Sequence, residues 1–480
     1  MPDLATATVA ELRAGLESGV LTSRAVVEAH LQRIADLDGR FGAIRCLAPD
    51  ALDHADASDR TRATSGARSP LEGVPVLVKD NIDIAGLPTT GGSLALEHSM
   101  PEHDAPIIAR LREAGAVILG KTNLSELANF LTENMPSGYS SLGGQVLNPY
   151  DTSITPSGSS SGSGAAAALG FAPLTIGTET DGSITSPADH QSLVGLKPTL
   201  GLVSRTGILP ISASQDTAGP IVRTVSDAAA LLAVIAGSDP ADEATSRAPG
   251  PFRAPELSPD ALNGVRIGVV ATSGADEPPS ADQVAVHQEA LAALRRAGAT
   301  LVDVKVPEVN GSDEMTVLHH EFGLGVDAYL RTIGAGAPFG SLADLHAWNR
   351  AHADVALKFG QAHVDAAVAV NHATAHDAYR RARERDLGAT TDALNAALGD
   401  DLEVLVFPGA SGCSLAARSG WPSVVIPAGY AAANRRPVGI MLVGRAWTDA
   451  RLLELAYALE QAHPVRRPPE QINPAAFRRR

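Results

Sequence analysis

The feature that most constrains the fold is a recurring order of helix, glycine and apolar strand. Pro106 to Ala114 reads as a helix, Gly115 as its stop, and Ala116-Val117-Ile118-Leu119-Gly120 as a strand. The same order returns at 282–306, with Gly298 as the break and LVDVKV as the strand. Such alternation buries its apolar faces best as α/β layers. Gly73 to Val78 (GVPVLV) reads as a buried strand that ends in Lys79-Asp80-Asn81. Near the C-terminus VLVFP, SVVIPAG and PVGIMLVG read as three more strands, before a helix at 448–462.

The N-terminal part is helical. Thr8 and Glu11 form a T-x-x-E capping box ahead of Leu12 and Leu16, and Gly19 ends that helix. A second helix begins after Thr22-Ser23, with Val26, Val27, His30, Leu31 and Ile34 on one side. Residues 59–70 (DRTRATSGARSP) read as a loop. Residues 132–164 are dense in Ser, Gly, Asn and Pro. A disordered linker is excluded there, because an alanine-rich helix (Ala165–Leu169) and a strand (Leu174-Thr175-Ile176) come immediately after. The proline-rich stretch 239–260 is the best subdomain boundary, and 315–400 reads as a helical insertion. A length of 480 residues by itself suggests two domains.

A formal net charge of −16 repels phosphate backbones and anionic membranes, which argues against nucleic acid as a partner. Arg478, Arg479 and Arg480 read as a solvated basic tail. No run of about 18 apolar residues predicts a membrane-spanning helix, and the N-terminus lacks a signal-peptide core. The chain reads as cytoplasmic. Its two cysteines, Cys46 and Cys413, fit no metal spacing and read as reduced, partly buried thiols.

Three positions could carry chemistry. Lys79 closes an apolar strand, where desolvation would disfavour its ammonium and free an amine to take a proton. Ser157-Gly158-Ser159-Ser160-Ser161-Gly162-Ser163, taken alone, is most often a flexible loop. In Gly177-Thr178-Glu179-Thr180-Asp181-Gly182-Ser183, a serine after glycine in a tight turn can expose its hydroxyl, with backbone N–H groups aimed at a developing oxyanion. His372 and His376 stand four apart on a helical stretch and could chelate a metal, but no third ligand has a recognisable spacing. His319-His320-Glu321 is similar. Asp216 could support a site loop or simply hydrogen-bond its own turn.

Together these pieces are specific. GVPVLVKDNIDIAGLPTTGG, GAVILGKTNLSE, NPYDTSITPSGSSSGSGAAAA, IGTETDGSITSPA and VGLKPTLGLVSRTGILPISASQDTAGPIVRTVSDAAALL run continuously over about 73–233. They resemble the amidase-signature family, and GWPSVVIPAGY and PVGIMLVGRAW extend the likeness towards the C-terminus. The resemblance implies an α/β fold with a mixed central sheet flanked by helices on both sides. It implies a single amidase domain over 1–480, with a signature core at 70–235, a variable substrate-pocket region at 236–400, and C-terminal core strands and helix at 401–465. It overrides the length argument for two domains.

The resemblance also implies the roles. Ser183 is the nucleophile, Ser159 the bridging serine after a cis peptide from Gly158, and Lys79 the base. The backbone N–H groups of Thr180, Asp181, Gly182 and Ser183 form the oxyanion hole. No metal or other cofactor is implied. This chain departs from the commonest pattern where Ser157, Ser161 and Asp181 replace glycines and Thr185 stands in place of arginine. The TETDGSIT and SQDTAGP wording resembles the peptide-amidase branch, which acts on C-terminally amidated peptides. The implied activity is hydrolysis of a carboxamide to carboxylate and ammonia, with a small-molecule or peptide amide as substrate. The alternatives are one subunit of an amidotransferase, working with partner chains on charged tRNA, and a catalytically dead amidase fold used as a binding module.

A relay of side chains and backbone dipoles needs no metal. Incubation with a strong chelator is therefore expected to leave the hydrolysis rate unchanged. Lost activity restored by zinc would remove Lys79 from the reaction and bring back His372 and His376 as ligands.

Overall fold

The computed structural model describes residues 3–271, 279–433 and 435–477; Arg478, Arg479 and Arg480 lie outside them. In chain order the strands are β1 (Ile44–Leu47), β2 (Pro75–Lys79), β3 (Val117–Thr122), β4 (Tyr139–Ser140), β5 (Gly144–Gln145), β6 (Leu174–Glu179), β7 (Val194–Lys197), β8 (Thr217–Val222), β9 (Arg266–Val270), β10 (Thr300–Val304), β11 (Val404–Pro408), β12 (Ser423–Tyr430) and β13 (Pro437–Val443). Strands β4 and β5 pair alone; the other 11 form one sheet in the order β1-β3-β2-β6-β8-β7-β12-β13-β11-β9-β10.

The sheet is mixed. Strands β3, β2 and β6 run parallel, as do β11, β9 and β10. The strands between them pair antiparallel. Parallel strands need crossover helices, and these cover both faces, so β2, β3 and β6 are buried along their whole length. That explains why they read as unbroken apolar runs rather than alternating ones. A large core lies against the sheet, from Leu12 and Leu16 of the first helix through Val76, Val78 and Ile176 to Leu442 and Leu453.

The capping box of the first helix forms, with Thr8 and Glu11 bonding each other's backbone N–H. One expectation is corrected. Residues 59–65 are the end of a helix, Ala51–Ser65, and not a loop. Only small residues, Ala51, Ala55 and Ser58, face inward there, so no large apolar stripe marks the helix in the sequence. Its Asp59 instead accepts from the backbone N–H of Ser23 and Arg24, tying it to the second helix.

Residues 312–398 are helical, as expected, but 266–304 contribute β9, β10 and the helix Ala281–Arg296 to the sheet layer. The two long helices of the helical part, Ser312–Ile333 and His372–Leu398, lie against each other. Phe322, Val326 and Leu330 of the first pack on Phe130, Leu209 and Ile211 from the sheet side. Among the described residues no helix is long and apolar enough to cross a membrane.

Next to the end of β2, Asp80 and Lys121 form an ion pair at 3.1 Å with both side chains wholly buried. Lys121 also donates to Thr89 Oγ1 at 3.0 Å and to the Pro88 carbonyl at 3.2 Å. Removing one partner strands the other charge. Lys121→Met is expected to cost about 3–5 kcal/mol in a urea titration. A loss below about 1 kcal/mol, the range of an exposed pair, would show that Asp80 finds other partners.

Candidate active site

The site is built at the ends of β2 and β6, two neighbouring parallel strands. Among the described residues three lysines are fully buried: Lys79, Lys121 and Lys197. Lys121 is paired with Asp80, and Lys197 donates to the Pro198 carbonyl. Lys79 is different. Its Nζ lies 2.8 Å from Ser159 Oγ, 2.9 Å from Thr178 Oγ1 and 3.2 Å from the Thr178 carbonyl. Burial pushes its pKa down to about 7, against an opposing pull from Asp216 and Glu179. A neutral amine so placed can accept a proton from the Ser159 hydroxyl.

Ser159 sits in the loop before the helix Ser161–Leu169. The Gly158–Ser159 peptide is cis, and Ser157 has a left-handed φ of 58°. A side chain at Gly158 would meet Ser125 Oγ at 2.6 Å, so glycine lets the loop close on its neighbours. The loop is anchored on three sides. Ser125 N–H donates to the Ser159 carbonyl at 3.0 Å, Ser160 N–H donates to the Ser183 carbonyl at 3.2 Å, and Ser160 Oγ donates to the Thr178 carbonyl at 3.1 Å. Lys79, Ser159 and the Ser183 turn thus belong to one hydrogen-bonded unit.

Ser183 lies beyond β6 in the turn Thr180–Ser183, where Gly182 has φ +74° and packs against Ser186 and Cys413. Glu179, buried at the end of β6, accepts from the Ile184 and Thr185 N–H groups at 2.7 and 2.8 Å and from Thr185 Oγ1 at 3.1 Å. These bonds hold the start of the helix Thr185–His190 and so fix where Ser183 points. Thr180 and Ser183 keep about 7% of their surface exposed. Among the described residues no hydrogen bond is donated by the backbone N–H of Thr180, Asp181, Gly182 or Ser183. Four consecutive free donors beside a reachable serine make a place for a negatively charged oxygen.

Asp216 does both things the sequence left open. Its Oδ2 accepts from the Ile211 and Ser212 N–H groups at 2.9 Å, and its Oδ1 accepts from Thr180 Oγ1 at 2.6 Å. Burial raises its pKa to about 6. Burial, with the nearby Glu314 and Glu179 carboxylates, pushes the Asp181 carboxyl well above the usual carboxylate range.

The histidines lie elsewhere. His320 stacks on Tyr379 with ring centres 4.1 Å apart and meets His372 edge-on at 4.7 Å; His319 Nε2 lies 3.1 Å from His363 Nδ1. No group of three His, Cys, Asp or Glu among the described residues is placed to hold a metal. Cys46 and Cys413 are free thiols, both half-buried. A cleft of about 950 Å³ lies by the helix Ala281–Arg296 and β9 and reaches Ser186, but none of Lys79, Ser159 and Ser183 lines it. A second cavity, bordered by Asn81, Thr178, Thr180 and Asp216, holds only about 10 Å³. It is too small for a substrate.

Sequence reading missed Thr178, the second partner of Lys79, and Glu179, Gln215 and Glu314 behind the turn. Thr178 and Glu179 lie within the IGTETDGSITSPA motif, and β-strand periodicity puts Thr178 and Ile176 on one face. Glu314 carries no local signal at all.

Comparison with known proteins places the chain in a family. The sequence profile of the family described as Amidase matches residues 25–415. The crystal structure of the peptide amidase of Stenotrophomonas maltophilia superposes with a TM-score of 0.91 at 44% identity, over 97% of this chain and 99% of that one. An Arabidopsis thaliana protein described as a probable amidase is 38% identical over 97% of this chain and 92% of its own. A glutamyl-tRNA(Gln) amidotransferase subunit from Anaeromyxobacter sp. (strain K) is 35% identical over 96% of this chain and 97% of its own. The fold and these relatives define an amide-hydrolysing enzyme with a mixed sheet between helical layers. The chain belongs to the amidase family.

The depressed pKa of Lys79 has a consequence for stability. The unfolded lysine holds its proton up to about 10.4, and the folded one releases it near 7. Between these values the unfolded state binds more protons, so this group makes the fold more stable as pH rises through that window. The stability of the wild type relative to Lys79→Met is expected to climb between about pH 7 and 10. A difference that stays flat across that range in urea titrations would show that Lys79 is charged in the folded protein.

Proposed function

We propose that the protein hydrolyses primary carboxamides through an acyl-enzyme on Ser183, with C-terminal peptide amides as the first substrate class. The observation that carries this reading is the contact of a fully buried lysine amine with Ser159 Oγ, 2.8 Å away, beside four unused backbone donors.

In this mechanism Ser183 Oγ attacks the carbonyl carbon. Its proton passes to Ser159, which gives its own proton to neutral Lys79. The N–H groups of Thr180, Asp181, Gly182 and Ser183 take the charge of the tetrahedral oxyanion. As the C–N bond breaks, the proton returns through Ser159 to the departing nitrogen, which leaves as ammonia. Water then attacks the ester, loses its proton along the same relay, and releases the carboxylic acid with Ser183 restored. The relay starts only from the neutral amine, so acid stops it; with Lys79 near 7, activity falls as pH drops through that value.

The 44% identity with a peptide amidase, along nearly the whole length of both chains, supports peptide amides over other acyl groups. A turn as closed as 180–183 supports a primary amide over an internal peptide bond, because ammonia as leaving group needs little room. The likeness to an amidotransferase subunit supports a second reading, in which the ammonia is handed to a partner chain.

The experiment is a substrate panel with the purified chain alone: N-blocked dipeptide amides, fatty amides, aryl amides and glutamine, with ammonia and product mass measured for each. Dipeptide amides are expected to lead by at least tenfold in kcat/KM, about 1.4 kcal/mol in transition-state binding. A lead for fatty or aryl amides would defeat the peptide choice. Glutamine turnover only with added partner chains would favour the amidotransferase. Ser183→Ala is expected to abolish turnover, with a loss that can reach about a million-fold where such residues act as a unit. A wild type inert on every amide would leave a binding module.

A further inference from the structure

The turn that offers the four free N–H groups is held from behind by a second turn, residues 211–216. Asp216 takes the Thr180 hydroxyl. Its neighbour Gln215, only 2% exposed, donates from Nε2 to the Thr180 carbonyl at 3.2 Å. The same Nε2 donates to Glu314 Oε1 at 2.9 Å. Turned over, the amide would set its oxygen against two acceptors, so these bonds fix which end faces Thr180.

A trans peptide plane points its C=O and the next residue's N–H in opposite directions. A donor on the Thr180 carbonyl therefore aims the Asp181 N–H the other way, towards the open side of the turn. We propose that Gln215, seated by Glu314, is a positioning residue that orients the Thr180–Asp181 peptide so that the Asp181 N–H meets the transition-state oxyanion. The inference rests on reading the 180–183 turn as the oxyanion hole.

Glu314 bears on the peptide twice. It accepts from Gln215, and it lies close enough to the Asp181 carboxyl to raise that group's pKa. Burial raises the pKa of both carboxyl groups. Arg418 stands 4.0 Å from Glu314 and is itself anchored through Nε on Asp386 Oδ1 at 2.8 Å. Glu321, about two turns further along the same helix face, holds the same second turn: it accepts from Ser212 Oγ at 2.5 Å, Ser214 N–H at 2.8 Å and Tyr379 Oη at 2.6 Å. The clamp on the turn thus comes from the helices Ser312–Ile333 and His372–Leu398.

A group that aims an oxyanion donor acts on the transition state and leaves ground-state binding alone. Gln215→Met removes the donor at similar volume. It is expected to lower kcat roughly 10- to 100-fold, towards the loss of a whole oxyanion donor, with KM within about twofold of wild type. The Ki of a peptide aldehyde, which forms an oxyanion adduct with the serine, should rise by the same factor as kcat falls. Glu314→Leu should reproduce both changes, and Glu314→Gln, which keeps an acceptor for Gln215, should retain at least tenfold more kcat than Glu314→Leu. Rates are taken per folded site, counted by labelling Ser183 with a fluorophosphonate. If Gln215→Met does not fold, the Glu314 pair decides. A raised KM with unchanged kcat, a fall in kcat without a matching rise in Ki, or equal kcat for the two Glu314 variants would overturn the inference. Ser183→Ala separates the two levels. A dead Ser183→Ala beside a fully active Gln215→Met sinks the clamp alone; an active Ser183→Ala sinks the reading of the site.

Discussion

Everything at the site depends on the burial of one amine. Lys79 is carried inward by a strand with parallel neighbours on both sides and no exposed residue. An ammonium there would need a carboxylate in contact, as Lys121 has in Asp80. Lys79 has hydroxyls and a carbonyl instead. Such partners suit a neutral amine, which can donate two hydrogens and accept one. Two lysines on adjacent strands thus differ in their surroundings because one was given a counter-ion and the other was not.

That choice sets demands on the surrounding loops. In the proposed relay a neutral Lys79 is useful only if the Ser159 hydroxyl stays within reach, and Ser159 lies in a glycine- and serine-rich stretch with little stiffness of its own. The structure supplies stiffness through cross-links: Ser160 to Thr178 and to Ser183, Ser125 to Ser159, and Glu179 to the residues after Ser183. Each bond runs between segments that the sheet already holds side by side. The polar residues of the motif are thus mostly braces, and few of them need to touch a substrate.

The parts of this arrangement differ in how far they can be read from sequence. The strands are legible because burial on both faces leaves unbroken apolar runs. Lys79 is legible because it ends such a run, and Ser159 and Ser183 because their neighbours form long motifs. The helix at 59–65 is hidden, since alanine and serine line its inner face and give no period to detect. Gln215 and Glu314 are hidden for another reason. They lie 99 residues apart and meet only after the helical region has folded back over the sheet. Asp216 shows the limit from the other side: its residue type suits a turn or a support, and only the three-dimensional arrangement reveals that one carboxylate serves both.

The reach of Glu314 and Glu321 from the long helix to the turns behind Ser183 bears on how such a protein could be re-engineered. The family resemblance makes the helical region the variable part that shapes the pocket, and so the part to trade when another acyl chain is wanted. In this chain that region also anchors the turn behind residues 180–183. Under the proposed clamp, a transplanted cap lacking acids at those two places would bring new selectivity and a slackened catalyst together. Grafts that carry both glutamates across, with Arg418 and Tyr379 as their counterparts, would separate selectivity from turnover.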